Sequence, residues 1–118
     1  YFAGEYDFIG RGLSGSAGQP AIGFGLPPTS AALTAYLEML EGSGLSWSVA
    51  VFGGDVVRTG LARLALERGG HLRVGLEDYG GTDTPTNAEL LEGAVAVCQA
   101  VGRPLASSAE AADLLGMT

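Results

Sequence analysis

The sequence predicts an α/β chain in which parallel strands alternate with helices, and three observations carry that prediction. Short apolar runs alternate with longer segments whose apolar residues recur at helical spacing. The 20 Gly and 5 Pro fall mostly at the junctions between those segments, where they read as turns. One strand-like run, His71-Leu72-Arg73-Val74-Gly75-Leu76-Glu77-Asp78, carries an arginine and ends in two adjacent carboxylates. Alternation with short connections implies right-handed crossovers and a parallel sheet.

Residues 1–19 are the least readable part. Residues 6–9 suggest a short strand or helix end, and 10–18 a flexible loop without the Gly-Lys-Ser/Thr ending of a phosphate loop. Residues 20–26 read as a strand that Pro27 and Pro28 stop. Thr29 or Ser30 then caps a helix to about Glu41, with Leu33, Tyr36, Leu37 and Leu40 on one stripe. Residues 45–52 read as a second strand and Gly53-Gly54 as its turn. Asp55 caps a helix over 56–68 whose inner stripe is Leu61, Leu64 and Ala65, and Gly69-Gly70 stops it. Residues 71–76 read as a third strand and 79–85 as a polar loop. Thr86 with Glu89 has capping-box spacing and opens a helix to about Val101. Arg103-Pro104-Leu105 forms an extended link, and Ser107 with Glu110 opens a last helix ending near Gly116.

The 118 residues make at most one domain, and 47% hydrophobic against 16% charged residues predicts a packed core. The net charge of −7, from six Arg and no Lys on the basic side, argues against nucleic acid or an anionic membrane as partner. No apolar run approaches the ~20 residues of a membrane helix, and no charged leader with an apolar core opens the sequence. One Cys excludes an internal disulfide framework and a Cys-cluster zinc site; one His excludes a multi-histidine metal site built by these residues alone. The expected location is cytoplasmic.

Three βα units do not close a domain, because a parallel sheet needs both faces covered and its edges protected. A strand with charges at its end suits the rim of a barrel, where functional groups sit at the C-terminal ends of strands. The chain therefore reads as the C-terminal portion of a (β/α)8 TIM barrel. The whole of 1–118 is one partial domain, with 1–19 loop-like. Strand alternation would put His71, Arg73, Gly75 and Glu77 on one face and Leu72, Val74 and Leu76 on the other.

Glu77 and Asp78 are the leading site candidates. A strand end simply meeting solvent is the bland reading of the pair. The functional reading has them leave the strand on opposite sides, one holding a metal while the other acts as a base. Arg73 reads either as an ion-pair partner of Glu77 or as a group that recognises an anion or keeps a catalytic carboxylate ionised. His71 is expected in the core or on the barrel floor, roughly 13 Å along the strand from Glu77. Cys98 is expected as a buried, inert thiol. Trp47 and Val49 should line the core, with Ser46 and Ser48 opposite. The 52–55 turn reads as a tight turn, with phosphate binding as the sharper alternative.

Several of these segments resemble the β-keto acid cleavage enzyme family, of the 3-keto-5-aminohexanoate cleavage type. The matching pieces are Trp47-Ser48-Val49, the run from Gly69 to Asp78, Asn87-Ala88-Glu89-Leu90, Gly102-Arg103-Pro104, and Ala109-Glu110-Ala111 to Leu115-Gly116. The likeness covers about residues 20–118, and its specific part is Arg73 to Asp78. The resemblance implies a (β/α)8 barrel with one zinc ion, and acetyl-CoA as cosubstrate. It implies a retro-Claisen cleavage of a β-keto acid to acetoacetate and a new CoA thioester. It implies Glu77 as a zinc ligand, Asp78 as catalytic base and Arg73 as its assistant. The sequence departs from the family in lacking a His-x-His pair, in carrying Tyr79 where asparagine is usual, and in its short following loop. The family's early glutamate and mid-barrel Ser and Thr contacts have no counterparts in it either.

The functional expectation is thus a zinc-dependent β-keto acid cleavage enzyme, carried by a larger chain or assembly. Its partners would be the small β-keto acid, acetyl-CoA, and either further copies of the chain or a complementing N-terminal barrel segment. The alternative is a non-catalytic barrel fragment acting as an oligomerising or binding module. Another metal-dependent aldolase, without CoA dependence, is the third reading.

Overall fold

Pro27 and Pro28 precede Thr29, whose hydroxyl accepts a hydrogen bond from the Ala32 N–H. That cap opens α1 (Ser30–Leu40). Its apolar stripe faces inward: Leu33 is fully buried, and Tyr36 and Leu37 pack on the core. The computed structural model describes residues 1–3 and 25–117. The expected strand over 20–26, apart from its last two residues, and the loop over 10–18 lie outside the described residues, as do residues 6–9.

All described strand pairs are parallel. β1 (Phe2–Ala3) pairs with β3 (Val51–Phe52), and β2 (Ser48–Val49) pairs with β4 (His71–Leu72). Ala50 separates β2 from β3, and its carbonyl accepts from the Phe2 N–H. Leu26 bridges the far side of Phe2. Residues 1–3 thus lie between Leu26 and residues 48–52, a strand that the local pattern did not announce. Its anchor is Phe2, 2% exposed, with its ring edge-on to Tyr36. The parallel α/β class holds, and the described residues form no closed barrel.

The second helix is shorter than periodicity predicts. Asp55 accepts from the N–H groups of Val57 and Arg58, so its carboxylate caps a turn over 56–59. α2 (Leu61–Glu67) begins only after Gly60, whose φ of 76° ends that turn. The expected inner stripe is present: Leu61 and Ala65 are fully buried, and Leu64 packs beside them. α3 (Asn87–Ala100) and α4 (Ser108–Leu114) both open with complete capping boxes, at Thr86–Glu89 and Ser107–Glu110. In each box the hydrogen bonds from the cap residue hold the glutamate below the usual carboxylate range. No described helix is long and apolar enough to cross a membrane.

Arg103 ties the last part of the chain to the core. Its guanidinium donates to the carbonyls of Leu66 (3.0 Å) and Gly69 (3.3 Å) at and just beyond the end of α2. Arg103→Ala should lower stability by about 1–2 kcal/mol, since two charge-assisted bonds to a helix end are lost. Chemical denaturation measures this, and an unchanged midpoint would show the tie to be idle.

Candidate active site

The strand carrying Arg73 is shorter than its alternation suggests. β4 ends at Leu72, and one more rung follows, from the Arg73 N–H to the Val49 carbonyl. The chain then turns on Gly75, whose carbonyl accepts from the N–H groups of both Asp78 and Tyr79. Asn87, the first residue of α3, takes the Leu76 N–H through its side-chain oxygen at 2.9 Å. The expectation that 71–76 is one strand, with His71, Arg73, Gly75 and Glu77 on one face, is therefore corrected: period two stops where the turn begins.

The turn brings together the three residues that the sequence singled out. Arg73 Nε donates to Asp78 Oδ2 at 2.9 Å, and Arg73 Nη2 donates to Glu77 Oε2 at 2.6 Å. The two carboxylates differ in setting: Asp78 is 4% exposed, while the Glu77 side chain is 76% exposed. They do not work on unrelated sides, as strand geometry implied, because one guanidinium holds both. Asp78 Oδ1 is buried and has no hydrogen-bond partner among the described residues, which for a carboxylate oxygen is costly. Beside it, Arg73, Val74, Gly75, Asp78, Tyr79, Gly54, Asp55, Val56 and Leu90 line a cavity of about 20 Å³, room for a single water-sized group.

Tyr1 completes the setting from the far end of the chain. Its ring lies over the Arg73 guanidinium at 5.4 Å. The Asp78 charge, with Tyr1 and Glu77, pushes the Arg73 guanidinium up, and burial opposes this. Sequence reasoning missed Tyr1, because nothing local connects residue 1 with residue 73.

The neighbouring turn stitches Asp78 in place. The Gly53 N–H donates to the Asp78 carbonyl at 2.8 Å, and the Gly80 N–H donates to the Gly54 carbonyl at 3.0 Å. The Gly53 N–H and the amides that Asp55 caps are thus engaged within the chain, and the 52–55 segment forms a tight turn. Just beyond, Arg58 meets Asp83, and the Tyr79 hydroxyl donates to the same carboxylate. The hydrogen bonds from Arg58 and Tyr79 pull the Asp83 carboxyl down to about 2, so this pair is fully charged at neutral pH. The same contact pushes Arg58 up; desolvation, then the bond to Asp83, pushes the Tyr79 phenol up.

The other candidates fall outside this cluster. His71 is exposed and lines an apolar groove with Leu72, Leu91 and Cys98, so the core placement expected for it is corrected. Cys98 is buried as a free thiol, as expected. Trp47 packs on the core and Val49 is buried within it, while Ser46 and Ser48 are exposed. Among the described residues no group of three His, Cys, Asp or Glu side chains is placed to hold a metal ion. Glu77 offers one exposed carboxylate, a suitable zinc donor but not a site by itself.

Comparison with known proteins agrees with the resemblance carried by this turn. The family model for beta-keto acid cleavage enzyme matches residues 17–117. A 3-oxoadipate:acetyl-CoA acetyltransferase of Cupriavidus necator is 42% identical over 76 residues, covering 61% of this chain and 26% of that protein. A 3-keto-5-aminohexanoate cleavage enzyme of Acetoanaerobium sticklandii is 39% identical over 62 residues, 49% of this chain and 23% of that protein. The chain spans about a quarter of the length of these curated relatives. It belongs to the beta-keto acid cleavage enzyme family.

Proposed function

We propose that this chain supplies the Arg73–Glu77–Asp78 part of an active site that condenses a β-keto acid with acetyl-CoA and cleaves a carbon–carbon bond, giving acetoacetate and a new CoA thioester. The relatives' names support the substrate classes, one naming acetyl-CoA and both naming keto acids. The observation that carries the reading is the asymmetry of Asp78: one carboxylate oxygen is held by Arg73 and the other is buried without a partner among the described residues.

Such a group is poised to move a proton. A base must present a free lone pair in fixed geometry, and Asp78 Oδ1 does so. Arg73 fixes the carboxylate plane through Nε, and Tyr1 covers the guanidinium face. Arg73 therefore orients the base. The proton next to the carbonyl of a β-keto acid is acidic enough for a carboxylate to take when that carbonyl is polarised.

Glu77 is proposed as one zinc ligand, with the remaining donors coming from beyond the described residues. A zinc ion bound there would polarise the carbonyl of the substrate. Glu77→Gln should lower zinc occupancy at least tenfold in the assembled protein, read by metal analysis after dialysis, because amide oxygen is a poorer donor than carboxylate. Zinc retained at full occupancy would remove Glu77 from the ligand set.

We further propose that the chain forms the C-terminal portion of a (β/α)8 barrel in the cytoplasm. The apolar groove beside β4 supports the place in a larger fold: about 740 Å³, it is lined by Leu72, Val74, Leu91, Val95, Leu105 and Leu114. An N-terminal barrel segment, or a second copy, would cover it. The same groove, with Leu115 and Met117 exposed beyond α4, supports the second reading of a non-catalytic oligomerising module. A turnover assay with acetyl-CoA and a panel of β-keto acids separates the two. Acetoacetate formed only when both substrates are present supports the enzyme; bond cleavage without CoA would point to an aldolase, and no cleavage to the module.

A further inference from the structure

The loop after Asp78 is tied back to Asp78 by a closed circuit of contacts. Tyr79 follows Asp78 directly and bridges Gly54 through the backbone. Its hydroxyl donates to Asp83 Oδ1 at 2.9 Å. Gly81 lies beneath that hydroxyl so closely that a Cβ there would collide with it. Asp83 receives both arms of the Arg58 guanidinium, Nη1 on Oδ1 and Nη2 on Oδ2. The Arg58 N–H donates to Asp55 Oδ1 at 3.3 Å, and Arg58 Nε lies 3.6 Å from Asp55 Oδ2. Asp55 follows Gly53-Gly54, the pair that holds the Asp78 carbonyl and the Gly80 N–H. The path from Asp78 through Tyr79, Asp83, Arg58 and Asp55 therefore returns to Asp78.

The energetics say what this circuit is for. Its ion pairs are exposed, with the Arg58 side chain 64% and Asp83 46% accessible, and such pairs add little to stability. A forked, two-point contact does restrict orientation, because a guanidinium meets both oxygens of a carboxylate in one geometry. Restricted orientation in the loop that directly follows a catalytic carboxylate acts on rate more than on folding.

We propose that Arg58, Tyr79 and Asp83 form a rim latch that positions Asp78 for proton transfer. All three are positioning residues, and the inference rests on the role given to Asp78 under the proposed function. None of them belongs to the Arg73–Glu77–Asp78 cluster.

The test uses the assembled, active protein with Arg58→Ala, Asp83→Asn, Tyr79→Phe, the Arg58→Ala/Asp83→Asn double variant and the exchange Arg58→Asp with Asp83→Arg, and Arg63→Ala as control. Each single variant should lower kcat roughly five- to tenfold, with the KM for acetyl-CoA within about twofold of the wild type. The Arg58→Ala/Asp83→Asn double variant should be no slower than the slower single one, since both break one contact. The charge exchange should recover most of the rate. The Tyr79 and Gly80 amides should exchange hydrogen faster in the single variants, and Arg63→Ala, on the outer face of α2, should change nothing. Additive losses, no recovery on exchange, or wild-type kcat in Arg58→Ala would each overturn the latch, whereas an Asp78→Asn variant that still turns over would instead overturn the role of Asp78. If the wild type itself turns over none of the panel, the proposed function fails and amide exchange decides the latch: unchanged protection at Tyr79 and Gly80 refutes it, and faster exchange upholds it as a device that fixes the Asp78 turn.

Discussion

Asp78→Asn should lower kcat by roughly 10²- to 10⁴-fold, the range lost when a general base is removed, while the protein remains folded. The substitution keeps the shape of the side chain. The amide oxygen can still accept from Arg73 Nε, the contact now made by Oδ2 at 2.9 Å. The backbone around it is unaffected, because the Asp78 carbonyl and N–H are engaged by Gly53 and Gly75 and not by the side chain. What is lost is the lone pair at Oδ1, which an amide nitrogen replaces with a donor. Oδ1 is buried and has no partner among the described residues, so no structural contact is broken there. An inactive variant with an unchanged circular dichroism spectrum and melting temperature assigns the proton transfer to this oxygen. Turnover within tenfold of the wild type would remove Asp78 from the chemistry and leave it as the anchor of Arg73.

How far these features could be read in the sequence depended on how local their causes are. Thr86 with Glu89 and Ser107 with Glu110 sit three residues apart, so each capping box is complete within one helical turn and legible from spacing. The Leu61–Ala65 stripe was legible for the same reason. The strand through Arg73 was overextended because Leu76 continues the apolar alternation of Leu72 and Val74 after the backbone has turned at Gly75. The cause of the turn is remote: Asn87, eleven residues on, takes the Leu76 N–H, and Leu76 is left 48% exposed. Pairing of Phe2 with Val51 joins residues about fifty apart, and no local pattern encodes such a partner. The candidate site divides in the same way. Arg73, Glu77 and Asp78 were visible because charges at the end of an apolar run demand a partner. Tyr1 and the Arg58–Tyr79–Asp83 contacts were not, since only the folded chain brings them to that turn.

Gly80→Ala should destabilise the fold by about 2–4 kcal/mol and reduce turnover with it, whereas Gly75→Ala should stay within about 0.5 kcal/mol of the wild type. Both glycines flank the same carboxylates, and strand alternation put Gly75 on the face of Arg73 and Glu77. The space around them singles out Gly80. A Cβ on Gly80 would collide with the Gly53 carbonyl group and Cα, which are backbone and cannot rotate away. The strand from Tyr79 would have to withdraw from Gly53-Gly54. That movement strains or breaks the Gly53 N–H bond to the Asp78 carbonyl and the Gly80 N–H bond to the Gly54 carbonyl. Two buried backbone bonds at about 1 kcal/mol each, plus the overpacking, give the expected loss. On Gly75 a Cβ would meet, among the described residues, only Asn87 Oδ1, at 3.6 Å, an ordinary contact. Denaturant titration of the two variants reads the difference directly. Equal stabilities would mean that the 53–54 turn yields to a methyl group, and Asp78 would then owe its position to Arg73 and not to the close approach of two backbones.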